Sequence, residues 1–173
     1  MRVVLLFVCW AAAAANAQPS RARIRLPGYR DPIAIEDVTV QFELNVSASN
    51  ALAAFKGAFA DLGVPLDVED PTGAILGNQS IKAVAGFGGY RLSRLLDCGS
   101  STVGQNSDTF RVSIVLLALL DWVDSTHTKV RVGFVGGAVP IASSVNQGVQ
   151  CSSTGVMEAR LMELASKRLQ SPR

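Results

Sequence analysis

Few of the residues that carry chemistry are present in this sequence. There is a single histidine, His127, and there are three cysteines, Cys9, Cys98 and Cys151. One histidine and two paired cysteines cannot close a zinc site, which takes four ligands of those types. The cysteines are far apart in sequence, so no redox pair of the two-residues-apart kind exists. Serines occur in loops without a G-x-S-x-G elbow. The tract Gly86-Phe87-Gly88-Gly89 lacks the lysine and the long following helix of a phosphate loop. Carboxylate pairs such as Glu69-Asp70 and Asp121/Asp124 fall at expected turns, solvated, whereas acid–base work needs one carboxyl desolvated. No catalytic, cofactor-binding or metal-ligating set is expected, and the chain reads as a non-enzyme. Aromatics make up 6% of the residues, too few for a stacking platform. The formal charge of +2 argues against nucleic-acid binding, which needs a concentrated basic surface.

What is present begins with an export signal. Arg2 precedes an apolar run, Val3 to Ala15, and Ala15-Asn16-Ala17 then supplies small residues at both positions of an A-x-A site. The run is shorter than the roughly 20 residues a membrane-crossing helix needs. Residues 1–17 are therefore expected as a signal peptide cleaved between Ala17 and Gln18. Cys9 belongs to the discarded peptide, so the mature chain is not lipid-anchored. The expected location is the periplasm or the outside of the cell. A second apolar stretch, Val112 to Val123, contains Ser113 and Asp121 and reads as a buried strand rather than a span.

Residues 18–37 are expected to form a basic linker. Arg21, Arg23, Arg25 and Arg30 make a candidate contact arm for anionic lipid or an acidic partner, and Pro19, Pro27, Gly28 and Pro32 interrupt regular structure. A solvated spacer is the plainer alternative. A single α+β domain over 38–169 follows, with a tail at 170–173. Val38, Val40, Phe42, Leu44 and Val46 alternate with polar residues, the period of a half-buried strand. Ser47 or Ser49 caps a helix whose stripe is Leu52, Phe55, Phe59 and Leu62, stopped by Gly63 and Pro65. Residues 64–84 read as a hairpin, Tyr90 to Leu96 as a loop or helical turn, and Gly99 to Ser107 as an exposed loop. Alternating strands around Phe110–Leu116 and Val130–Phe134 form a second hairpin. Gly136 to Gly148 reads as a flexible loop, 149–152 as a short strand and 155–169 as a closing helix with Met157, Leu161 and Leu164 in its stripe.

In an oxidising compartment an even cysteine pair implies a Cys98–Cys151 disulfide. The segments Leu92-Ser93-Arg94-Leu95-Leu96-Asp97-Cys98-Gly99 and Val149 to Glu158 resemble a group of uncharacterised exported proteins of environmental bacteria. The element order is also similar to the BamC-like domains of outer-membrane assembly lipoproteins, though the chain has no acylated cysteine at its mature end. Two amphipathic helices must bury their stripes and an antiparallel sheet offers one apolar face, so the expected fold is α+β, helix-grip in kind: two helices on one face of a curved, mainly antiparallel sheet of four to five strands. The function expected is binding to another cell-envelope protein, without cofactor. A small apolar-ligand carrier is the alternative, and a cysteine-dependent hydrolase using His127 is the third reading.

Overall fold

The structure, a computed structural model, describes residues 22–72, 74–141 and 148–170. The expected signal peptide, its Ala17–Gln18 cleavage site, Arg21 and the last three residues lie outside the described residues. Its main elements are β1 (Thr39–Leu44), α1 (Ala48–Asp61), β2 (Val68–Asp70), β3 (Ile75–Val84), β4 (Phe110–Trp122), β5 (Thr128–Pro140), β6 (Val149–Ser153) and α2 (Val156–Gln170). The fold is α+β, and every described strand pairing is antiparallel.

The sheet is built outward from the β4–β5 hairpin, paired without a break from Phe110↔Pro140 to Trp122↔Thr128. β3 lies on the far side of β4, and β2 lies beside β3. Two-residue strands at Gly86–Phe87, Tyr90–Arg91 and Leu96–Asp97 extend the sheet, so it has nine strands rather than the four or five expected. Such two-residue pairings leave no periodicity for a sequence reading to find.

Strand alternation sorts the core into two clusters, because successive residues face opposite sides of a sheet. Val112, Ile114, Leu116, Ala118 and Leu120 of β4 belong to one cluster with α1 and α2 residues. Val115, Leu117 and Leu119 belong to a second, with Ile24, Leu26 and Ile35. α1 contributes Ala51, Ala54, Phe55, Ala58 and Phe59, spaced i, i+3, i+4, i+7 and i+8 as one helical face requires. Ser47 Oγ caps it, accepting from the Asn50 backbone N–H at 3.4 Å. On the outer side, the Arg168 guanidinium of α2 donates to both oxygens of Asp61 at 2.6 and 2.7 Å.

The second cluster corrects the expectation of a linker. From Ala22 onward the chain is packed onto the sheet: Arg23–Ile24 pairs with Ile33–Ala34, a 3-10 turn follows at Ile35–Val38, and Ile24, Leu26 and Ile35 are buried. The Ile35 N–H donates to the Ala22 carbonyl at 2.9 Å.

The stretch expected as a flexible loop from Gly136 is corrected too. β5 continues to Pro140, and its glycines are places of close approach. A Cβ on Gly137 would lie 2.1 Å from the Pro27 carbonyl oxygen, and one on Gly133 2.5 Å from Ile35 Cδ1. Residues 142–147 of that stretch lie outside the described residues. The Gly99–Ser107 segment departs from an exposed loop at its end, where Asn106–Thr109 forms a helical turn and Asn106 and Ser107 are buried.

Candidate functional site

Along one edge β5 is flanked by two different strands laid end to end. β1 pairs with it from Thr128↔Leu44 to Gly133↔Thr39, and β6 from Gly136↔Cys151 to Ala138↔Val149. Phe134 and Val135 fall between the two and have no strand partner on that side. The gap is forced from both directions. β1 can run no further because the 3-10 turn before Thr39 seats Ile35 against Gly133. β6 pairs with β5 only as far as Cys151; Ser152 and Ser153 pair instead with Asp97 and Leu96, before Gly155, at a φ of +84°, turns the chain into α2.

A cleft of about 280 Å³ occupies this gap. Val38, Val40, Phe134 and Val135 form its apolar walls, and Tyr29, Ser152, Ser153 and Glu158 supply its polar groups. Val40 is 41% exposed and marks the rim, while Glu158 at 1% and Phe134 at 0% form the floor. Phe134 is held from behind by the ring of Phe87, stacked at 6.2 Å. The Tyr29 hydroxyl donates to the Cys151 carbonyl at 3.3 Å, and burial pushes its pKa up.

Glu158 is the unusual member. It lies in the first turn of α2, three residues after Gly155, where a capping-box glutamate would reach back to the backbone N–H that opens the helix. The Ser153 hydroxyl accepts that N–H at 3.0 Å instead. Both Glu158 carboxylate oxygens are buried, and neither meets hydrogen-bond geometry with a protein group. Burial pushes the carboxyl pKa up, and the neighbouring Ser153 hydroxyl and the residue's own backbone amide offset part of that push.

Of the residues marked in the sequence, the structure brings Cys98 and Cys151 together as the expected disulfide. The bond continues the ladder Ser152↔Asp97 and Ser153↔Leu96, so it ties β6 to the Leu96–Asp97 strand beside the cleft. Both cysteines are buried. His127 is exposed in the β4–β5 turn, its Nδ1 2.9 Å from the Asp124 carboxylate. With the Thr126 backbone N–H and His127, this turn holds the Asp124 carboxyl down at about 2. The length of β5 from Thr128 to Gly136, about 27 Å at the strand rise, separates that turn from the disulfide. Arg23, Arg25 and Arg30 are exposed on the N-terminal segment.

The sequence reading missed Tyr29, Ser153 and Glu158. The signal for Glu158 was there: with Leu161, Met162 and Ala165 it completes an i, i+3, i+4, i+7 face, so a carboxylate occupies a core position of the closing helix. Among the described residues, no group of three or more His, Cys, Asp or Glu side chains is placed to hold a metal ion. Among them, too, no helix is long and apolar enough to cross a membrane. No protein-family profile, no curated protein and no solved structure matches the chain.

Proposed function

We propose that this chain is an exported, non-enzymatic binding domain of the bacterial envelope that engages another envelope protein at the gap between β1 and β6. The observation that carries the reading is the cleft itself, where an interrupted sheet edge and an exposed apolar rim coincide. A sheet edge interrupted in this way suits a segment from another chain, which can add main-chain hydrogen bonds while a side chain fills the cleft. The two cysteines are joined to each other, with the histidine far along β5 from them, which weighs against the cysteine-dependent hydrolase.

The apolar-ligand carrier draws less support. Fully buried Phe55, Phe59, Phe134 and Leu116 fill the space between helices and sheet. The cleft, at about 280 Å³, is at the bottom of the roughly 300–1,000 Å³ range of small-molecule sites.

The test is capture from envelope extract by the immobilised protein, with Val40→Glu at the cleft rim and Val84→Glu on an exposed position away from it. The reading expects a partner held by the native protein and by Val84→Glu, and lost with Val40→Glu. No partner, or one retained equally by both variants, counts against it.

A further inference from the structure

We propose that the side of the sheet bearing the N-terminal segment lies against an anionic lipid surface, held chiefly by Lys82 and Arg111. The inference goes beyond the binding reading and does not use the cleft.

The N-terminal segment leaves one end of this face open. The Pro27 carbonyl sits against Gly137, which pairs with Ser113, which pairs in turn with Lys82. The Lys82 ammonium donates to the Ser113 hydroxyl at 2.8 Å, so the two share this face, and the lysine is exposed. One row further on, Val84, Arg111 and Val139 stand side by side across β3, β4 and β5. Arg111 is exposed and Val84 is 53% exposed. Strand alternation puts that row on the same face, about 7 Å along from the first. On the N-terminal segment itself, Ile24 and Leu26 are buried toward the sheet, and Arg23 and Arg25 alternate with them and are exposed.

The charge of this region is not balanced within the protein. Among the described residues, none of Arg23, Arg25, Lys82 and Arg111 forms an ion pair with an acid. The other end of the same face is neutralised: Arg131 pairs with Asp121, and Lys129 stands between Glu43 and Asp121 in the ladder. On the N-terminal segment both Glu36 oxygens are buried, which leaves exposed Asp31 and Asp37 against Arg23, Arg25 and Arg30. The uncompensated cations are spread over a sheet face and do not converge on a cleft. A headgroup layer meets spread charges together and accepts an exposed apolar side chain such as Val84 at its acyl boundary.

The experiment measures partitioning of the whole chain onto vesicles of equal parts phosphatidylglycerol and phosphatidylcholine, and onto phosphatidylcholine vesicles. The ratio of the two is the readout, because apolar attachment common to both cancels. The native protein is expected to favour the anionic vesicles, and raised salt to abolish the preference. Lys82→Gln combined with Arg111→Gln is expected to lower the ratio about thirtyfold, the effect of two cations near an anionic surface. Val84→Glu should lower it too, while capture at the cleft is retained. Lys56→Gln combined with Arg94→Gln removes the same charge from α1 and from beside Tyr90, and should leave most of the ratio in place.

A native ratio near one overturns the proposal. An equal fall in both double variants also overturns it, because net charge alone would then explain the preference. Binding of hexaglutamate through Lys82 and Arg111 without any vesicle preference would make the partner an acidic chain and remove the lipid. The cleft is untouched in every variant, so the binding reading stands or falls on its own capture test.

Discussion

The two faces of the β4–β5 hairpin are covered by opposite means. The face carrying Ile114, Leu116 and Phe134 shares its buried cluster with the amphipathic helices α1 and α2, where side chains of both layers interlock. The face carrying Val115, Leu117 and Val135 meets an irregular N-terminal segment, and contact there depends partly on side chains that are missing. Gly133 and Gly137 leave room for Ile35 and for the Pro27 carbonyl, and Gly148 lets the chain pass Gly28 and Pro27. Helices can cover a face through volume alone. An extended segment with few apolar residues covers one by bringing its backbone close, so its fit is set by glycine positions.

This contrast can be broken most strongly on the helix side. Phe55→Ala removes a fully buried ring from α1 and is expected to cost about 3–5 kcal/mol in urea unfolding. Removing the disulfide with Cys98→Ala and Cys151→Ala together should cost about 2–4 kcal/mol, since a bond across a sequence separation of 53 constrains the unfolded chain. On the opposite face, Gly137→Ala should cost about 1–3 kcal/mol through overpacking. Its effect should concentrate in the N-terminal segment, with the Ile35 amide losing hydrogen-exchange protection before amides of β4 do. Equal loss of protection in both would show that the N-terminal cover and the sheet open as one unit.

The smallest expected effect lies at the cleft, between the two faces. Glu158 has a folded-state pKa raised above its ordinary value of 4.5, so the folded state holds this proton more tightly than the unfolded one. Its contribution is therefore complete below the unfolded pKa and is lost as pH rises through the folded pKa, about 1.4 kcal/mol for each unit of displacement. Asp124, held at about 2, and Asp61 and Glu163, also lowered, act with the opposite sign and lose their contributions as pH falls. The difference between native protein and Glu158→Gln isolates the residue. The variant should gain stability relative to the native chain as pH is raised, and a difference that stays constant with pH would contradict the burial argument.

Much of the helix side was legible in the sequence. The apolar positions Phe42, Leu44 and Val46, the stripe containing Phe55 and Phe59, and the even cysteine pair each follow a rule of spacing, whereas Val38 falls in the 3-10 turn on the opposite face and Val40 is exposed. The opposite face was illegible because Pro27, Gly28 and Pro32 read as breakers, and Ile24, Leu26, Ile33 and Ile35 were set aside with them. The β5 glycines read as loose chain for the same reason, since a local rule cannot distinguish a glycine that bends from one that lets another backbone come near. The cleft arises where β1 and β6 each run out beside β5, a long-range arrangement that no local pattern encodes. Glu158 was the one visible trace of it, an acid on an apolar face.

The most direct test of the cleft is a carbon-13 NMR titration of the Glu158 carboxyl in the folded protein. The account predicts a pKa above 4.5, because burial disfavours the ionised form. An ordinary value would contradict it.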